Sequence, residues 1–115
     1  MKLSSLCLAG AAASVLQFLF GGGMVLFGVS TFLLVPHVLI GIVLLVLSVL
    51  AWSLARSPVL KRMAIGNVAL VIITGGLGVF VYLHEVPWVI LLHLFLALGL
   101  LSNFSVMYGM TTERR

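Results

Sequence analysis

Four apolar stretches, roughly residues 3–34, 37–55, 59–83 and 86–110, take up nearly all of this 115-residue chain. Each is near or above the ~20 residues that cross a bilayer as a helix. The runs are continuous, whereas the strands of an outer-membrane barrel alternate in polarity over short segments. In hydrocarbon an unpaired backbone group has no water to bond, so a single-segment span must be helical. With 63% hydrophobic and 7% charged residues, little is left for a soluble domain. The expected fold is an all-α membrane protein: a single domain, 1–115, forming a four-transmembrane-helix bundle.

The six basic residues are Lys2, Arg56, Lys61, Arg62, Arg114 and Arg115. Threaded through four spans, all fall on one side, and the positive-inside rule makes that side cytoplasmic. Both termini and the central loop are then cytoplasmic, and the location is the cell (inner or plasma) membrane, multi-pass, with the lipid bilayer as first partner. The outer face is expected to carry two short turns, at Leu34-Val35-Pro36 and around His84-Glu85-Val86-Pro87, with Trp88 as an interfacial anchor. A net charge of +4 is thus explained by topology, not by nucleic acid. The single Cys7 allows no internal disulfide, and packing is its expected role. Lys2 followed by Leu3 to Ala13 has the look of a signal peptide, but the apolar run continues to Leu34, so an uncleaved first helix is expected.

The chain has an internal repeat. Gly10, Gln17, Gly21 and Gly28 share one helical stripe, since steps of seven and eleven residues return to within about 20°. Asn67, Thr74, Gly78 and Glu85 follow 57 residues later, position for position, and His37 and His93 are 56 apart. Two pseudo-repeated helical hairpins result, each with a histidine on its second helix. Small residues let membrane helices approach closely, and ordinary packing explains such stripes equally well. The density of Gly21, Gly22, Gly23 and Gly28, with Gly75, Gly76 and Gly78, goes further: it removes side-chain volume toward the outer half of both odd-numbered helices, where something flat would fit.

His37 lies 19 residues before Arg56, and His93 lies 20 before Glu113. At about 1.5 Å per residue the two imidazoles share a level, the arrangement that a six-coordinate heme iron needs inside a bundle. Gly41 and Ala97, four residues after each histidine, lie on the same helix faces and clear room beside each ligand; Gly78 joins them as a position expected to border the cofactor. Phe80, Phe95 and Phe104 could pack on a macrocycle, although single aromatics in a membrane bundle are more often core or lipid-facing. The plainer reading makes His37 an interfacial residue beside Pro36 and His93 an interhelical hydrogen-bonder, yet ionisable residues within membranes are functional suspects. His84 and Glu85, one turn farther out, are secondary candidates that could cover a heme edge or meet propionates. Zinc is a weaker reading, because three or four ligands do not converge, and the five methionines form no evident copper site.

These motifs resemble one half of the heme A synthase family, which is built from two homologous four-helix bundles with paired axial histidines. Pro36-His37-Val38-Leu39-Ile40-Gly41 is similar to the start of that family's second helix. Ile73-Thr74-Gly75-Gly76-Leu77-Gly78 is similar to its third, and Leu91-Leu92-His93-Leu94-Phe95-Leu96-Ala97 to its fourth. The resemblance implies heme binding between His37 and His93, as heme b, with heme o or heme a as alternatives, and a role in converting heme o to heme a. Family members often carry a glutamate, and cysteines, in the first outer loop; here that loop has no carboxylate, which resembles a cofactor half more than a substrate half. A half-length chain would then assemble as a homo-oligomer, with an electron donor or a heme-biosynthesis or respiratory partner.

Several functions compete. One is a heme A synthase-like oxidoreductase or heme-handling protein; another is a b-type cytochrome that passes electrons to a partner and has no substrate of its own. A small transporter is disfavoured, because such exporters couple through a membrane-embedded carboxylate and here Glu85 and Glu113 both sit at boundaries. A heme-free structural subunit of a larger respiratory complex is the remaining class.

Overall fold

The computed structural model describes residues 1–112 and contains four helices: α1 (Leu3–Phe27), α2 (Thr31–Leu54), α3 (Pro58–His84) and α4 (Pro87–Thr112). All four are long and apolar enough to cross a membrane. Each helix packs against two neighbours in cyclic order α1–α2–α3–α4, and across the diagonals the described backbones stay apart, so that α2 and α4 meet only through side chains. The bundle is 44 Å long and about half as wide. Large apolar side chains cover its outside, among them Leu19, Phe32, Ile72, Leu91 and Phe95, as a surface solvated by lipid requires.

The third and fourth helices begin and end within two residues of their apolar runs. The first hairpin does not turn where its run suggested. α1 stops at Phe27 instead of near Leu34, and α2 starts at Thr31, before Pro36 rather than after it. The turn is Gly28-Val29-Ser30. Gly28 has φ +88°, a conformation that costs a side-chain-bearing residue strain. Ser30 then caps α2, its hydroxyl oxygen accepting from the Leu33 N–H. Pro36 sits inside α2, where the missing N–H costs less in a membrane bundle than in water because neighbouring groups re-satisfy the freed carbonyl. In α3, Ser57 caps the N-terminus and Pro58 occupies the first turn, where its lost N–H has no intrahelical partner to miss. Glu85 closes α3 in the left-handed region, φ 49° and ψ 42°, its N–H donating to the Val81 carbonyl. Glu85 is the repeat-mate of Gly28, so the two hairpins end their first helices with positive-φ residues at matching positions.

Tight packing is concentrated toward the end that carries Lys2, Arg56, Lys61 and Arg62, called here the basic end. One cluster unites Cys7, Ala51, Ala55, Leu60, Ala64 and Met107; a second unites Leu44, Leu100 and Phe104. The Phe104 ring lies directly over Gly10. At the repeat-mates of these positions the sizes are exchanged: Asn67 replaces glycine and Ser48 replaces phenylalanine, and both are fully buried. Asn67 accepts a hydrogen bond of 2.6 Å from Asn103 Nδ2, which also donates to the Met63 carbonyl, and its own amide donates to the Met107 sulfur at 3.5 Å. Such bonds between membrane helices contribute about 0.6–2 kcal/mol each. Beyond the level of the two histidines, Val89 alone among the described residues is buried.

Candidate functional site

His37 and His93 are each the seventh residue of their helices, α2 and α4. That places both about 9 Å below the helix starts. His37 is therefore well inside its helix rather than at the outer boundary that a turn at Pro36 implied. The two helices are diagonal to one another, yet the imidazoles meet across the axis with ring centres 6.3 Å apart and planes inclined by 56°.

Each ring rests on a glycine of the preceding helix. A Cβ at Gly21 would come within 3.1 Å of His37 Cε1, and one at Gly78 within 3.1 Å of His93 Cε1. These glycines are each the seventh residue from the end of their helices, α1 and α3. The repeat seen in the sequence thus corresponds to two equivalent imidazole seats. Gly22, Gly75 and Gly76 differ: a Cβ there would meet nothing within 4 Å. The glycine-rich segments accordingly split between seating the histidines and facing outward. They do not form one continuous slot.

His37 Nδ1–H donates to the Gln17 carbonyl oxygen at 3.2 Å, which fixes the tautomer and leaves the Nε2 lone pair free. His93 Nδ1 is directed at the matching carbonyl, that of Thr74, without completing the bond, and it is buried without a partner. Two further buried atoms in this region lack partners among the described residues, Gln17 Oε1 and Thr74 Oγ1. Gln17 and Thr74 are repeat-mates one turn below Gly21 and Gly78. Buried polar groups are nearly always bonded, so this layer requires a polar partner, water or ligand, near the axis. Gly41 has a role here that sequence reasoning missed: its absent side chain makes room for the Gln17 amide, whose nitrogen would lie 3.2 Å from a Cβ at that position. Ala97, its mate on α4, is half-buried.

His84 is the last residue of α3, exposed, and stacks on Phe80 with ring centres 4.7 Å apart. Glu85 beside it is exposed. Phe95 faces outward and Phe104 is held in the core against Gly10. Glu113, used above to gauge the depth of His93, and Arg114 and Arg115 lie outside the described residues.

Chemically, a linear axis of two imidazole–metal bonds of about 2.0 Å sets the ring centres roughly 6–6.5 Å apart. The observed separation falls in that interval, but it also falls in the range of ordinary aromatic pairs. The Nδ1 pattern discriminates better. Metal-bound histidines characteristically donate the second ring N–H to a backbone carbonyl or carboxylate, as His37 does and as His93 is positioned to do. No group of three or more His, Cys, Asp or Glu side chains able to hold a metal exists among the described residues. Two imidazoles alone fit the axial positions of a heme, which brings its own four in-plane nitrogens. Compared with protein-family models, curated proteins and solved structures, the chain matches none. The reading of the site therefore rests on its own residues.

Proposed function

We propose that this protein is a heme-binding membrane protein with His37 and His93 as axial ligands of a b-type heme, serving one-electron transfer on the side of the membrane opposite its basic residues. The observation that carries this reading is the facing imidazole pair, seated on Gly21 and Gly78, with His37 Nδ1 committed to the Gln17 carbonyl. A heme held there supplies a reversible one-electron couple. Gln17 orients the His37 ring through its carbonyl, and the Thr74 carbonyl stands in the matching position toward His93 Nδ1, which makes no completed hydrogen bond. Two histidines that both held the iron would leave it no site for oxygen, which favours electron transfer over hydroxylation. The orientation with both termini cytoplasmic follows from the positive-inside rule.

The resemblance to half of heme A synthase supports a second reading, in which the bundle holds the cofactor heme while a second copy holds heme o as substrate. The first turn, Gly28-Val29-Ser30, offers no carboxylate for that chemistry, and Glu85 belongs to the other turn. The deciding measurement is the oxidised and dithionite-reduced absorption spectrum of detergent-purified protein, with the pigment extracted for typing. Sharp α and β bands with heme b support the cytochrome reading; heme o or heme a in the extract supports the synthase-like one. His37→Ala and His93→Ala each abolish the low-spin spectrum, whereas His84→Ala leaves it. A protein that stays colourless when heme is supplied, or equal loss from all three variants, overturns the assignment.

A further inference from the structure

At the basic end, a hollow of about 400 Å³ opens between the start of α1, the α2–α3 connection and the end of α4, with Lys2, Leu3, Ser4, Leu54, Arg56 and Thr111 among its walls. That volume lies within the roughly 300–1,000 Å³ of small-molecule sites. Three features give it a charge preference. Lys2 and Arg56 flank it, and no carboxylate lines it among the described residues. The N-terminus of α1 opens into it with no side-chain cap, so first-turn N–H groups lack acceptors. The third feature is Ser4, which is 8% exposed. The hydroxyls of Ser14, Ser48 and Ser105 fold back onto carbonyls four residues earlier. Ser4 lies in the first turn of α1, where no preceding turn offers such a carbonyl, and its hydroxyl makes no hydrogen bond among the described residues. Ser4 is one of the residues that line this hollow.

We propose that the hollow binds the phosphate of an anionic phospholipid headgroup. Ser4 Oγ–H and the first-turn N–H groups of α1 donate to phosphate oxygens, which a helix N-terminus is suited to bind. Lys2 and Arg56 neutralise the charge, as basic pockets between membrane helices do for acidic headgroups. The apolar rim of Leu3 and Leu54 continues into the lipid-facing surface of α1 and α2, giving the acyl chains a path that a free phosphate has no use for. This site is separate from the histidine pair and does not depend on heme.

Native mass spectrometry of the purified protein, incubated with equimolar phosphatidylglycerol and phosphatidylcholine, tests the proposal. Preferential retention of phosphatidylglycerol is expected, weakened about fivefold by Arg56→Gln and similarly by Lys2→Gln. Ser4→Ala is expected to weaken it about threefold by removing one donor. Lys61→Gln removes the same charge from the same end outside the hollow and is expected to change retention less than twofold. Arg56, Lys2 and Lys61 are all exposed, so these variants keep the fold, and unchanged helical circular dichroism checks it. Equal retention of both lipids overturns the proposal, as does an equal effect of Lys61→Gln and Arg56→Gln, which would mean diffuse attraction only. Displacement of lipid by millimolar inorganic phosphate would make this a free-phosphate site and overturn the lipid assignment.

Discussion

Two glycine-to-alanine changes on the same helix should act in opposite directions. A Cβ on Gly10 would lie 2.5 Å from both Cδ1 and Cε1 of Phe104 and 2.7 Å from Cζ. Carbon atoms pack best at about 3.5–4.0 Å, so three contacts each fall short by about 1 Å. Phe104 is fully buried and cannot retreat without displacing its neighbours. Overpacking of this kind costs about 1–3 kcal/mol. On Gly22 the same methyl would meet nothing. Alanine improves helix propensity at both positions by about 0.5–1 kcal/mol, so that gain cancels when the two variants are compared. Gly10→Ala should therefore be less stable than Gly22→Ala by about 1–3 kcal/mol, with Gly22→Ala at or above the parent. Reversible unfolding in mixed micelles, followed by circular dichroism as the denaturing detergent fraction rises, measures the difference. A double-mutant cycle isolates the cause. In a Phe104→Ala background the clash is gone, and Gly10→Ala should become neutral or favourable, a coupling of more than about 1 kcal/mol. If Gly10→Ala costs the same with and without the Phe104 ring, or if Gly22→Ala costs as much, the packing argument is refuted.

Gly21→Ala and Gly78→Ala each place a methyl 3.1 Å from an imidazole Cε1, so each should tilt its histidine by a few tenths of an ångström. The expected result is a similar broadening of the low-spin heme bands, or a similar shift in midpoint potential, from the two variants; a response to one alone would deny the equivalence of the seats. Glu85→Gly removes the strain of a side-chain-bearing residue at φ 49° and should raise stability by about 1 kcal/mol, read from the same micellar unfolding curve; a loss of stability would show that the Glu85 side chain holds the turn.

The existence of four helices was legible from hydropathy alone, and the second hairpin could be bounded closely because Arg56, His84, Glu85 and Pro87 mark its ends. The first hairpin could not. Its turn is Gly-Val-Ser inside an unbroken apolar run, and hydropathy does not register a turn made by one positive-φ glycine and one serine cap. Pro36 drew the boundary to itself because proline ends helices in water, whereas a membrane helix carries it in its interior. The meeting of His37 and His93 was legible because their depths can be counted along the sequence from Arg56 and Glu113, whatever the turns do. The roles of the glycines were not. Sequence shows where volume is missing but not toward which neighbour, and only the packed bundle separates Gly21 and Gly78, which seat imidazoles, from Gly22, Gly75 and Gly76, which face outward. The unpartnered Gln17 and Thr74 atoms were likewise out of reach, although their place on the repeated stripe was the signal that could have drawn attention to them.

The exchange of sizes between the hairpins works as a recognition code. Gly10 meets Phe104, while at the mates of those two positions a buried Asn67 stands in place of the glycine and a buried Ser48 in place of the phenylalanine. Two copies of the first hairpin, put together, would set Gly10 against Ser48 and leave a gap the size of a phenyl ring. Two copies of the second would press Phe104 onto Asn67 and its amide network. Only unlike hairpins fill the interior, so a scaffold that is nearly symmetric in backbone still dictates its own partner.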